Sequence, residues 1–401
     1  MKQFDLDSVR RPAVSLILVD ELFRPGRAQF KSLPTIRSLW RGYEPIILAK
    51  PQATSTLQTR HDHLTIGSIG AGRFIKPVEE LIAWTIERGR LNTNPVLRTA
   101  LAKTALLGRT CHLVFFDEPR ELMFHAIIAI TNMAAAQGIE RIMLHPIGVP
   151  DDAMTEITRH APGARVGTLT EIENFDTVIC LNVAPFTNEH WLGQFLTARP
   201  DLTDLSAVAL VGESMSGGKR YLRAFPPTSY DGTLAEALFA NEHSHERVLP
   251  APQSLHLSYY FDGLRTMQLG IDEQVVANVD ELAKAFDRTL QKPSHLSVFS
   301  IDSKMVKPGL FDRLLGKFST PYLGSGAALI VLSGIQDPGS MLSGVIADRA
   351  LAKDLVSAAF ADNFGLASVG NPQGNITDVA PTVLKLLGLP VPIQMTGRSL
   401  I

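Results

Sequence analysis

The chain has little cysteine: two residues, Cys111 and Cys180, in 401. Both lie inside apolar, strand-like runs, which excludes a disulfide framework. They read as buried thiols in a reducing compartment, so a cytoplasmic protein is expected. No apolar run approaches the ~20 residues that cross a bilayer; the best, Ala13–Val19, has strand length, so no membrane span is expected. The opening MKQFDLD carries acids where a secretory leader carries an apolar stretch. Neither charge sign prevails, with 38 Lys and Arg against 40 Asp and Glu, which argues against a nucleic-acid-binding surface. Internal repeats, low-complexity tracts, zinc-spaced Cys or His pairs and a Gly-x-Ser-x-Gly nucleophile elbow are all missing. What is present is a chain 45% hydrophobic and long enough to bury a core without metal or disulfide staples. At ~150 residues per domain it has room for two or three domains.

Short apolar runs alternate with helix-period segments, the signature of βαβ units and a largely parallel sheet. Strands are expected at Ala13–Val19, Cys111–Phe116, Arg141–His145, Thr177–Val183, Ser206–Val211, Leu255–Phe261, His295–Ile301 and Ala327–Ser333. Helices are expected at Pro34–Tyr43, Pro77–Arg88, Leu122–Gln137 and Asp378–Leu387. The last has Thr377 as its cap, Pro381 in its first turn and Gly388 as its stop. Gly212–Pro227 (GESMSGGKRYLRAFPP) breaks the pattern with glycines, charges and a Pro pair, and is the best candidate linker.

Several residues are candidates for chemistry. Asp20 ends the apolar run LILVD, at the strand edge where α/β ligand sites gather; from this run alone, an Asp that caps the next loop is the better reading. His61-Asp62-His63 offers three ligands in a row. In an extended segment the two imidazoles face away from the carboxylate, so polar loop residues are the better reading. Gly67–Arg73 (GSIGAGR) has the composition of a phosphate cradle or of a tight turn. Gly212–Arg220 fails as a P-loop because Arg220 stands where a hydroxyl must hold magnesium. Asn241–Glu246 (NEHSHE) reads as a solvated loop.

The C-terminal stretch Ile376–Ile401 (ITDVAPTVLKLLGLPVPIQMTGRSLI) closely resembles the end of the cofactor-independent (2,3-bisphosphoglycerate-independent) phosphoglycerate mutases, in the alkaline-phosphatase superfamily. Ile69–Arg73 (IGAGR) and Leu91–Leu97 (LNTNPVL) look like the stretch just after that family's nucleophile. Ala224–Leu238 (AFPPTSYDGTLAEAL) and His256–Gly263 (HLSYYFDG) resemble later segments in the same order. The resemblance implies an α/β fold: an alkaline-phosphatase-like three-layer sandwich lobe from residues 1–76 and 218–401. A second, transferase-like α/β lobe, residues 77–217, is inserted in it.

In that family two manganese or magnesium ions, held by Asp and His, serve a Ser that takes the phosphoryl group. Metals neutralise the group in transit. Carried over by resemblance, the first Asp is Asp20, followed by Glu21-Leu22-Phe23 instead of a glycine turn. The nucleophile falls on Asp62. The first metal motif becomes Ser303-Lys-Met-Val-Lys-Pro308, placing Lys304 and Pro308 at ligand positions, and the second becomes Ser333-Gly334. Within a small slip Asp302 or Asp337 stands in for a carboxylate. No slip supplies an imidazole, since no histidine follows His295. The substrate motifs fall on Asp117–Met123, Val149–Asp152, Ala184, Thr187 and Gln253, where almost the entire set is replaced; Arg73 survives as a substrate-binding candidate. The resemblance therefore implies a degenerate member, without bound metal or mutase activity, that binds or regulates. Its partner would be an unidentified protein or a small phosphorylated metabolite. The alternatives are a divergent isomerase or phosphatase with a site rebuilt from Asp20, Asp62, His61 or His63 and Arg73, and a subunit whose site a partner completes.

Overall fold

The computed structural model describes residues 13–20, 28–50, 55–57, 61–75, 78–107, 111–116, 120–147, 155–156, 158–159, 164–166, 177–182, 207–209, 221–225, 231–250, 261, 268–302, 304–335, 341–352 and 372–401. The chain begins with β1 (Val14–Val19), α1 (Ala28–Lys31), α2 (Pro34–Gly42), β2 (Glu44–Ala49), α3 (His61–Ala71), α4 (Val78–Glu87) and α5 (Pro95–Leu107). It continues through β3 (Cys111–Phe116), α6 (Arg120–Ala135), β4 (Ile142–Ile147), β5 (Ala164–Val166), β6 (Thr177–Asn182), β7 (Ala207–Ala209) and β8 (Tyr221–Arg223). Then come α7 (Leu234–Ala240), β9 (His245–Pro250), β10 (Ile271–Val276), α8 (Val279–Gln291), β11 (Leu296–Ile301) and α9 (Pro308–Gly324). The chain closes with β12 (Ala328–Ser333), β13 (Met341–Ala347), β14 (Gly374–Asn375) and α10 (Val379–Leu386). It divides into two units, one of Met1–Gln52, His61–Ile75 and Tyr230–Ile401, the other of Ala53–Arg60 and Lys76–Ser229.

The first unit is built on an eight-stranded sheet of order β10-β9-β11-β1-β12-β13-β2-β14, in which only β13 runs antiparallel to its neighbours. Its centre is legible in composition: β1 (VSLILV), β11 (LSVFSI) and β12 (ALIVLS) are buried at every position, as strands covered on both faces must be. One face carries Ile17, Val19, Val248, Phe299, Ile301 and Val331, packed on Leu33, Ile36 and Leu39 from the α2 segment, Leu282 and Phe286 of α8 and Phe311, Leu315 and Phe318 of α9. Alternation sends Arg247 to the opposite face. There its guanidinium lies 4.9 Å from the Phe261 ring centre, and α3 packs on Phe261 through Gly70, where an added Cβ would meet the Phe261 carbonyl at 2.8 Å. The sheet is thus the middle layer of three, with α2, α8 and α9 on one side and α3 on the other.

The start of α2 shows how one layer is fixed. Leu33, its N-cap residue, offers no side-chain cap. The carboxylate of Asp312, buried in α9, instead accepts the Thr35 amide at 3.0 Å and the Ile36 amide at 2.9 Å. Asp312→Ala is expected to cost about 1.5 kcal/mol by orphaning both amides. Urea unfolding checks this, and Asp312→Asn should retain part of the difference.

The second unit has a six-stranded, wholly parallel sheet of order β5-β4-β6-β3-β7-β8. Leu97 and Leu101 of α5, Leu122, Ile127 and Ile130 of α6, and Phe225 share its core. Within the stretch expected as a linker, Tyr221–Arg223 form β8 and Phe225 is buried; the rest lies outside the described residues. Among the described residues no helix is long and apolar enough to cross a membrane.

Three local expectations are corrected. His61–His63 open the helix α3 rather than a loop, and Gly67–Ala71 continue it; only Gly72, at φ 60°, makes the turn. Residues 65–72 are all buried, so tertiary packing overrides the weak helix propensity of Gly67 and Gly70. His245 is not in a solvated loop but begins β9 and is 3% exposed. Thr377 does not cap the final helix: its N-cap residue is Asp378, which makes no side-chain cap, and a box in which Asn375 and Asp378 bond each other's backbone caps the 3-10 turn Ile376–Asp378 just before it, while Gly388 (φ 69°) stops the helix as expected. The expected strand Leu255–Phe261 lies outside the described residues except for Phe261.

Candidate functional site

Open α/β sheets place ligands beyond the carboxyl ends of their parallel strands. In the first unit that edge is where β1, β11, β12 and β2 stop. Asp20 follows β1 and is 8% exposed; its amide donates to the Ile301 carbonyl at 3.2 Å, tying it to the end of β11. Asp302 comes next on β11. Its Oδ1 accepts the Lys304 amide at 2.7 Å and its carbonyl accepts the Met305 amide at 3.0 Å, a turn that delivers Pro308 to the first position of α9. Beyond β12, Ser333 is buried and Gly334 turns at φ 100°; the Gly334 and Ile335 amides donate to the Val19 carbonyl at 3.1 and 3.3 Å. Lys50 follows β2, is 8% exposed, and its Nζ donates to the Ile335 carbonyl at 3.1 Å. Lys50 is the group that sequence reasoning missed.

The other sequence-derived candidates are placed as follows. Asp62 lies in the first turn of α3, with its side chain, like those of His61 and His63, outside the described residues. Arg73 follows the far end of that helix, about 15 Å along the axis. Its guanidinium donates to the Asp231 carbonyl at 2.6 Å, and the glycines before it form helix and turn rather than a cradle. Lys304 and Pro308 serve the turn and start of α9 just described. Asp117, Val149–Asp152, Ala184, Thr187, Gln253, Ser303 and Asp337 lie outside the described residues.

The histidines with described side chains in this unit stand elsewhere. His245 opens β9, and His295 precedes β11, where its Nδ1 accepts the Ser244 amide at 3.0 Å and its ring centre lies 4.1 Å from that of His243, the two rings tilted by 40°. Both belong to the amino-terminal edge of the sheet. A six-residue strand, about 20 Å, separates His295 from Asp302. Among the described residues no group of three or more His, Cys, Asp or Glu is placed to hold a metal ion. The described edge offers the two-metal centre implied by the resemblance two carboxylates, Asp20 and Asp302. One of its two carboxylates already accepts a backbone amide, and a lysine ammonium stands at the same edge. The unit also carries a groove of 590 Å³ between α2 and α9, lined by scattered hydroxyls (Thr35, Ser38, Ser319) and Arg349, which donates to the Gly324 carbonyl.

The segments that carry the family resemblance have clear structural work. Asn94 of LNTNPVL caps α5 through the Val96 and Leu97 amides, both at 3.1 Å, and its Nδ2 donates to the Ala224 carbonyl of AFPP. Thr233 and Glu236 form the capping box of α7. Gly70 meets Phe261, and the Gly72 carbonyl accepts the Thr396 and Gly397 amides.

No family model matches the chain. It is 22% identical to the 2,3-bisphosphoglycerate-independent phosphoglycerate mutase of Chromohalobacter salexigens, over 83% of this chain and 86% of that protein. It is 21% identical to the enzyme of the same name from Coxiella burnetii, over 92% of each. A crystal structure of Leishmania mexicana phosphoglycerate mutase at low cobalt concentration superposes with a TM-score of 0.60, at 13% identity, over 98% of both chains. The chain is thus a divergent relative of the 2,3-bisphosphoglycerate-independent phosphoglycerate mutases and shares the α/β fold of a phosphoglycerate mutase.

Proposed function

We propose that this protein keeps the scaffold of a phosphoglycerate mutase without its phosphoryl-transfer chemistry, and acts by binding a protein partner or a small phosphorylated metabolite. The observation that carries this reading is the separation of imidazole from carboxylate. The histidines of the first unit whose side chains are described stand at one edge of the sheet, and Asp20 stands at the other. Metal-assisted phosphoryl transfer needs ligands converging on cations that neutralise the phosphoryl oxygens in transit. The single loss of a charge-stabilising donor typically costs ~10²–10³ in rate. Here Lys304, Pro308, Ser333 and Gly334 occupy positions that the resemblance assigns to the two metal motifs. The retained segments, by contrast, cap helices and let backbones approach. Such a pattern fits a protein whose fold outlived its site.

The test is turnover of phosphoglycerate and of a simple phosphate monoester with added manganese or magnesium, against an Asp20→Asn control. The expected result is no metal-dependent rate above that control. Metal-dependent turnover that Asp20→Asn abolishes would overturn the reading.

A further inference from the structure

We propose that the Lys50 ammonium supplies, from the chain itself, the positive charge that a divalent cation supplies at such an edge, and so keeps metal out. This deepens the reading above, and its test fails separately. Lysine is seldom buried, because an ammonium out of water must be compensated. Lys50 is nevertheless 8% exposed. Its location follows from register. β2 is separated from β12 by β13 alone, so the Lys50 side chain reaches across one strand, about 10 Å between β2 and β12, to donate to the Ile335 carbonyl at 3.1 Å. A flexible four-carbon stem suits that span.

The acceptor is itself positioned by the site. Gly334, at φ 100°, folds the exit of β12 over the end of β1, so that the Gly334 and Ile335 amides share the Val19 carbonyl, one residue before Asp20. Lys50, the turn after β12 and Asp20 therefore form one connected edge. Asp20 and Lys50 also continue the same face of the sheet: Leu18 is level with Leu332, Leu332 with Gly344, and Gly344 with Ile46, and each charged residue lies an even number of positions along its strand. The described ionisable groups at the ends of these strands are Asp20, Asp302 and Lys50, which sum to one negative charge, and Asp302 already accepts the Lys304 amide. The Lys50 charge already offsets one of the two carboxylates that would attract a divalent cation to this edge, and it repels that cation in a medium that screens the repulsion poorly. A fixed ammonium needs no ligands and does not dissociate, so the strand ends are held without metal.

Thermal melting of the full chain, with and without saturating MnCl2, tests this. The wild type is expected to melt at the same temperature in both. Lys50→Met keeps the stem and removes the charge. It should melt lower, by on the order of 5 °C, and regain much of that loss as Mn²⁺ takes the vacated place. Lys50→Arg should stay indifferent to Mn²⁺. Three results would overturn the inference: saturable stabilisation of the wild type by Mn²⁺, a Lys50→Met protein identical to wild type, or one that is destabilised but not rescued. Should Lys50→Met fail to fold, isothermal titration of Mn²⁺ into the wild type and Lys50→Arg decides, with binding to either counting against it. An inactive wild-type protein that binds Mn²⁺ would remove this inference and leave the functional reading standing. Metal-dependent turnover would remove the functional reading.

Discussion

Replacing Gly397 with alanine should destabilise the first unit by about 3 kcal/mol or more. A Cβ at this position would lie 2.0 Å from the Thr377 carbonyl oxygen, 2.4 Å from its carbon and 2.9 Å from the Asp378 nitrogen. All three are backbone atoms, so no side-chain rotation relieves the clash. The chain around Gly397 is held in place by many bonds. Its amide and that of Thr396 donate to the Gly72 carbonyl at 2.9 Å, the Arg398 amide to Asp378 Oδ1 at 2.7 Å and the Leu400 amide to Thr382 Oγ1 at 2.9 Å, while Lys385 Nζ bonds the Ile401 carbonyl. Asp378 is shared, its Oδ2 accepting the Asn375 amide at 2.8 Å. One methyl group therefore pushes the last residues off α3 and α10 together. Gly388→Ala is the control. That glycine has φ 69° but open space around it, so only the left-handed backbone is penalised, by about 1–2 kcal/mol. Urea unfolding of both variants checks the difference; equal small losses would show that the C-terminal segment is not clamped as described.

Stability should also fall steeply in acid because of His245. The imidazole is 3% exposed, and neither ring nitrogen has a hydrogen-bond partner among the described residues. Burial, and secondarily the positive charge of Arg247, holds its pKa well below the usual histidine value. The unfolded chain then takes up a proton below pH ~6.5 that the folded chain refuses. Its contribution is fully present above that pH and is lost as pH falls toward the depressed folded value, at about 1.4 kcal/mol per unit. The loss should therefore begin below the unfolded value and grow as the pH is lowered from 7.5 to 5. His245→Leu, apolar and of comparable size, should flatten that part of the curve. Parallel pH profiles for the two proteins would show that His245 is solvated or paired.

The parts of the fold that were legible in sequence are those where burial is complete. β1, β11 and β12 are buried at every position and are near-continuous apolar runs broken only by serines, as strands covered on both faces must be. The strands that pattern reading misses depart from this rule for identifiable reasons. β10 (IDEQVV) is an edge strand, and four of its six residues keep some contact with water. β9 (HERVLP) buries a histidine and an arginine, which composition assigns to a surface. The helix α3 begins on a polar His-Asp-His run and continues through glycines that weaken its local signal, and it exists because its surroundings bury it.

The candidate site divides in the same way. Asp20 was visible as the acid that ends an apolar run. Lys50 was not, because a lysine after a strand reads as a solvated end until the register shows its ammonium lying across β13 at the turn after β12. The resemblance to phosphoglycerate mutases rests on capping boxes, an asparagine cap and close-approach glycines. Those constraints belong to the fold and persist whether or not the chemistry does, so the segments most similar to the relatives carry the least information about activity.

The central claim is that the edge beside Asp20 does not hold a pair of divalent cations. Metal content after equilibration with excess manganese and exhaustive dialysis, counted per folded chain, measures this directly. The account predicts far less than one ion per chain, unchanged in Asp20→Asn. A stoichiometric pair of ions, lost when Asp20 is replaced, would contradict it.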